Sequence, residues 1–171
     1  LSYLSTAYWR FTPASERSAI AADLEALLWG MLEEAETTSR RSALFSAYRA
    51  AVSTQQGVDR LLSIWQQRTK VPGLPLFERD YIALAQRLAL HEVPNHDHIL
   101  TTQLEDIENP DRRASFEFVM PALSADETIR DEFFTSLVQA ENREHEPWVV
   151  TGVSFLHHPL RAATAEKYLL P

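Results

Sequence analysis

The chain has 171 residues, 45% of them hydrophobic, and a formal net charge of −8 at pH 7. That length suits one domain or one compact helical array with a core of its own, and the absence of cysteine excludes disulfides and thiolate chemistry. The acidic balance argues against binding nucleic acid or anionic membrane, both of which need clustered Lys and Arg, and no apolar run approaches the ~20 residues that span a bilayer.

Hydrophobic residues recur with helical period along most of the chain. Leu1 to Phe11 reads as the end of a helix. Beyond Pro13, with Ser15 as the expected cap, a long helix over Glu16 to Glu36 places Ile20, Leu24, Leu28 and Met31 on one face. Thr37, Thr38 and Ser39 break it, and a second helix carries Leu44, Ala47, Tyr48 and Ala51. Ser53 and Thr54 open a third, with Val58, Leu61, Leu62 and Trp65. The segment KVPGLPL, from Lys70 to Leu76, is the clearest loop, because two prolines around a glycine cannot continue a helix.

Glu78 to His91 is apolar on most sides, the pattern of a helix buried between neighbours. Pro94 stops it, and Asn95 is the expected cap of a helix bearing Ile99, Leu100, Leu104 and Ile107. Pro110 sits at a favourable first helical position. Ser124 and Glu127 form a capping-box pattern ahead of Ile129, Phe133, Phe134, Leu137 and Val138. Pro147 starts a helix through Trp148, Val149, Val153 and Leu156, which Pro159 ends; Thr164 to Leu170 reads as the start of another. Nine or ten short helices with brief turns predict a single all-α domain over residues 1–171, arranged as an irregular α-solenoid of antiparallel hairpins of the HEAT or armadillo kind.

The sequence holds no complete catalytic motif. A zinc-peptidase helix presents His-Glu-x-x-His, two imidazoles one turn apart with a Glu between them to activate water. His91-Glu92 and His145-Glu146 both lack the second histidine and both run into a proline. His91, His96 and His98 lie near a helix start but do not share a face, and the acids Glu105, Asp106, Glu108 and Asp111 lack the spacing of a calcium loop. There is no nucleophile elbow and no phosphate-cradling glycine loop. His157 and His158 precede Pro159 at a helix end, where an imidazolium complements the helix dipole.

The stretch from Phe116 to Arg161, extended back to Asn109, resembles the C-terminal helical region of zinc aminopeptidases of the aminopeptidase N type. The residues that carry the likeness are NPDRRASFEFVMPALS from Asn109, NREHEPWV from Asn142 and LHHPL from Leu156, with YIALAQRLALHEVP and YLSTAYWRFTP as weaker support. The resemblance implies a non-catalytic domain that packs on the catalytic domain of the same polypeptide and encloses the peptide cavity. The zinc belongs to that catalytic domain, and this segment carries no catalytic, cofactor-binding or metal-binding residue. His157, His158 and Arg161 are its candidates for contact with substrate or with the neighbouring domain. A soluble location follows, in cytoplasm or periplasm, and apolar faces at the two ends are expected to promote self-association of the fragment. The alternative reading is a freestanding helical-repeat module that binds another protein.

Overall fold

The computed structural model describes residues 3–169, and every regular element among them is helical. The helices are α1 (Leu4–Thr6), running into a π-helical turn over Ala7–Phe11, then α2 (Ala14–Glu34), α3 (Thr38–Ala51), α4 (Gln55–Trp65), α5 (Glu78–Leu90), α6 (His96–Asp106), α7 (Pro110–Leu123), α8 (Glu127–Ser136), α9 (Glu146–Leu156) and the short α10 (Ala162–Ala165). The expected chain ends at Leu1 and at Leu170 to Pro171 lie outside the described residues. The chain divides into two compact units, one up to Arg87 and one from Leu88.

In the first unit α2 packs along α3. Thr54, expected to help open α4, does cap it, its Oγ1 accepting from Gly57 N at 3.0 Å, and Thr37, read only as part of a break, caps α3 by accepting from Arg40 N at 3.2 Å. The expected Ser15 cap does not, because α2 begins at Ala14 behind Pro13. The buried face of α2 also differs from expectation. Ala21, Glu25, Leu28 and Leu32 are buried, whereas Ile20 is 45% exposed and Leu24 and Met31 are half-buried.

The cause is Glu25. It is only 6% exposed, and Oε1 accepts from Ser53 N at 2.8 Å and Thr54 N at 2.9 Å while Oε2 accepts from Thr54 Oγ1 at 2.6 Å. The first amides of a helix have no intrahelical partner, and a carboxylate there also meets the positive end of the helix dipole. With these bonds made, Glu25 rather than Leu24 faces inward. The aromatic residues around this layer are polar-tethered as well as packed: Trp9 Nε1 donates to Ala50 O at 2.7 Å, and Arg87 Nη2 donates to the same carbonyl at 2.8 Å.

In the second unit α7 packs against α8 and α9 around Ala122, Phe133, Leu156 and Tyr168, with Phe118, Phe134, Leu137 and Phe155 against them. Gly152 on α9 lets Phe133 come close: a Cβ there would stand 2.6 Å from the Phe133 ring. Asn109 caps α7 through Arg112 N at 3.0 Å, with Pro110 as the first helical residue. Two expected caps are replaced. Asn95 adopts a left-handed conformation (φ 61°) with no side-chain cap bond. Asp126, not Ser124, caps α8, through Thr128 N at 2.8 Å. Ser124 instead ends α7 and accepts from Asp126 N at 3.1 Å. The β-branched run around Trp148 to Phe155 is helical, as expected.

Candidate functional site

The three residues singled out in the sequence lie in the second unit, close to the C-terminal end of α7. The last carbonyls of a helix have no intrahelical donor. Here they are met by two buried arginines, Arg130 at 3% and Arg161 at 4% exposure. Arg161 Nη1 donates to Ala122 O at 2.5 Å and Nη2 to Leu123 O at 2.6 Å. Arg130 Nη1 donates to Ser124 O at 2.7 Å and Ala125 O at 2.8 Å.

Two guanidiniums at one helix end complement its dipole but repel each other. Burial pulls the Arg161 pKa down to about 10, with the Arg130 charge adding to the shift and Glu92 opposing it. Arg161 therefore remains charged at neutral pH. Its Nε lies 4.0 Å from the half-exposed Glu92 Oε1, and the Nε atoms of both arginines make no hydrogen bond. Chemically the cluster is a staple that ties the segment after α9 back to α7.

His158 Nδ1 accepts from Leu160 N at 3.2 Å and so caps the turn over Pro159–Arg161 that delivers Arg161. His157 is half-buried, its ring 6.2 Å from that of Tyr168 in an edge arrangement. The structure thus gathers His157, His158 and Arg161 at one end of the second unit. Arg161 is committed to the backbone, His158 is partly so, and His157 retains a half-exposed ring.

Next to them is an ionic latch that sequence reading passed over. Lys167 Nζ contacts Glu127 Oε1 at 2.6 Å and Asp131 Oδ1 at 2.6 Å, and Tyr168 OH donates to Asp131 Oδ1 at 2.6 Å. Hydrogen bonds from Lys167 and then Tyr168 hold the Asp131 carboxyl below its ordinary range. Hydrogen bonds to Asp131 and Glu127 push the Lys167 ammonium upward. Arg130 finds its main partners just upstream, at Ser124 O and Ala125 O, whereas Asp131 gains Lys167 and Tyr168 only from the return of the chain after α9.

Three other histidines stand apart in role. His98 Nδ1 lies 3.4 Å from Thr102 Oγ1, and His96 Nε2 lies 3.2 Å from Asp97 Oδ1. His145 stacks on Trp148 with ring centroids 4.0 Å apart. Among the described residues no three His, Asp or Glu side chains converge as a metal-ligand set. No helix among them is long and apolar enough to cross a membrane. Comparison of the chain with protein-family profiles, with curated proteins and with solved structures finds no match.

Proposed function

We propose that the chain is the non-catalytic C-terminal helical part of an aminopeptidase N-type zinc peptidase, an enzyme that removes N-terminal residues from peptides. In this reading its hairpins stack as an irregular α-solenoid over the catalytic domain of the same polypeptide and help to close the peptide cavity. A concave helical array suits that task, and closure of a cavity excludes water and positions substrate.

The reading rests on the resemblance of residues, and the stretch that carries it is continuous in the fold. The stretch with the sharpest likeness, Asn109 to Arg161, folds as a self-consistent piece: it begins at the Asn109 cap of α7 and ends at Arg161, whose guanidinium returns to the carbonyls of α7. The prolines and charged residues of that stretch thus hold structural positions in one unit. Zinc and the catalytic residues belong to the other domain, so this chain contributes shape and stability.

The test compares the full-length polypeptide with a version truncated before Leu1, using aminoacyl-anilides, short peptides and a folded protein substrate. The full-length form is expected to contain zinc and to hydrolyse the anilides, while the 171-residue chain alone binds no stoichiometric zinc and turns over none of them. A full-length product without a His-Glu-x-x-His helix, or zinc-dependent turnover by the isolated chain, would refute the proposal. The first of these outcomes would favour the protein-binding module.

A further inference from the structure

The first unit contains a cavity of about 530 Å³ between the loop after α4 and the first turn of α5. Its lining includes Gln67, Lys70, Val71, Leu74, Leu76 and Tyr81. The volume falls within the ~300–1,000 Å³ typical of small-molecule sites.

The loop that builds it is set by its own sequence. Val71-Pro72-Gly73-Leu74 forms a turn closed by Leu74 N donating to Val71 O at 3.2 Å, and Gly73 has φ +63°. Proline in the second turn position and a positive-φ glycine in the third are the requirements of a type II turn. Upstream, Ser63 Oγ and Thr69 Oγ1 are 2.7 Å apart, and Ser63 O accepts from Arg68 N and Thr69 N at 3.0 and 3.2 Å. Val71 is buried at 3% exposure and anchors the loop. The Arg41 guanidinium lies against Gly73, where any Cβ would collide with it. The cavity walls are therefore held before any ligand arrives, which lowers the ordering cost of binding.

The chemistry of the walls is two-sided. Val71, Leu74, Pro75 and Leu76 give an apolar surface. Lys70 supplies the one cationic side chain of the lining, which Gln67 and Tyr81 also join as neutral polar residues. The chain's other lysine, Lys167, is spent on Glu127 and Asp131, whereas Lys70 makes no such pair among the described residues. The Lys70 ammonium, with the Arg41 guanidinium held against Gly73 of the same lining, gives that end of the site the charge that a carboxylate requires.

The geometry points to a binding site for a small monocarboxylate with an apolar body, its carboxylate on the Lys70 ammonium and its hydrocarbon on Leu74, Pro75 and Leu76. The site stands independently of the peptidase reading, since it needs nothing outside the first unit.

Calorimetric titration of the 171-residue chain tests it, with 4-phenylbutyrate and its isosteric amide as probes. The acid is expected to bind with 1:1 stoichiometry and the amide at least about tenfold more weakly, since a charge-assisted hydrogen bond is lost. In Lys70→Gln the acid should weaken by a similar factor and the amide should not change. Lys70 is exposed, so the variant is expected to keep the wild-type melting curve. N-acetyl-leucine is titrated in parallel: tighter binding than phenylbutyrate, again lost in Lys70→Gln, identifies the carboxyl end of a peptide as the source, and weaker binding identifies a free acid. Equal affinity for acid and amide, no saturation by any of the acids, or an unchanged acid affinity in Lys70→Gln overturns the proposal.

Discussion

Replacing Glu25 by Ala removes the acceptor for two backbone amides and one hydroxyl at the start of α4. The site is buried, with Glu25 at 6% exposure, so water cannot fully replace the lost oxygens. A buried donor left without its acceptor costs about 1–3 kcal/mol, and loss of a helix cap about 1 kcal/mol. Partial hydration and the relief of burying a carboxylate offset part of the sum, so a net loss of about 2–4 kcal/mol is expected. Glu25→Gln keeps the shape and one acceptor oxygen and should lose about 1 kcal/mol, because its amide nitrogen can still donate to the Thr54 hydroxyl. Urea titration followed by tryptophan fluorescence reads the difference. At a slope of about 2 kcal/mol per molar urea, the midpoint should fall by about 1–2 M for Ala and by about half a molar for Gln. A Glu25→Ala midpoint within the error of wild type, or equal losses for Ala and Gln, would show that Glu25 does not cap α4.

Three further expectations follow from the packing. Leu28→Ala should cost about 2–5 kcal/mol, while Leu24→Ala and Ile20→Ala cost clearly less, because Leu28 is 3% exposed and Ile20 is 45% exposed; equal losses by chemical denaturation would contradict the observed rotation of α2. Arg161→Met removes two donors from the α7 carbonyls and should destabilise by roughly 2–4 kcal/mol, with Arg161→Lys recovering only part, since an ammonium cannot fork across Ala122 O and Leu123 O; a stable Arg161→Met protein would show the staple to be dispensable. The latch predicts a pH dependence on both limbs. Asp131 has a depressed folded pKa, so its contribution is present above the unfolded carboxyl pKa of about 3.9 and fades as pH falls through the lower folded value. Lys167 has a raised folded pKa, so its contribution is complete below about pH 10.4 and fades only as pH rises through the higher folded value. Melting temperatures of wild type and Asp131→Asn from pH 2 to 11 should therefore differ most between about pH 5 and 10 and converge in acid; a constant difference across the acid limb would rule the latch out.

The helical class was legible in the sequence because several helices carry their own punctuation. Thr37, Thr54, Asn109 and Pro110 start helices by local bonds or fixed φ, and the Pro72–Gly73 pair fixes its turn through backbone preference alone. Such features involve residues within four positions of one another, so the order of letters is enough to find them. Where neighbouring residues offered rival caps, reading was less secure: Asp126 caps α8 in place of the expected Ser124–Glu127 box, since its carboxylate reaches Thr128 N, two residues on.

Rotation about the helix axis and the partners of charged side chains were decided only by tertiary structure. Glu25 and the Ser53–Thr54 amides are 28 and 29 positions apart, and Arg161 lies 39 and 38 positions from the carbonyls it binds. In the sequence these residues look like ordinary surface charges, because helical period scores apolar letters and treats every Glu and Arg as solvent-facing. Burying a charge is favourable only when a distant segment supplies the opposite end of a dipole or a row of unmet backbone groups. That condition is met by how the helices assemble: it places Glu25, rather than Leu24, on the buried face of α2, and Arg161, a candidate contact residue in the sequence, in the core of its unit.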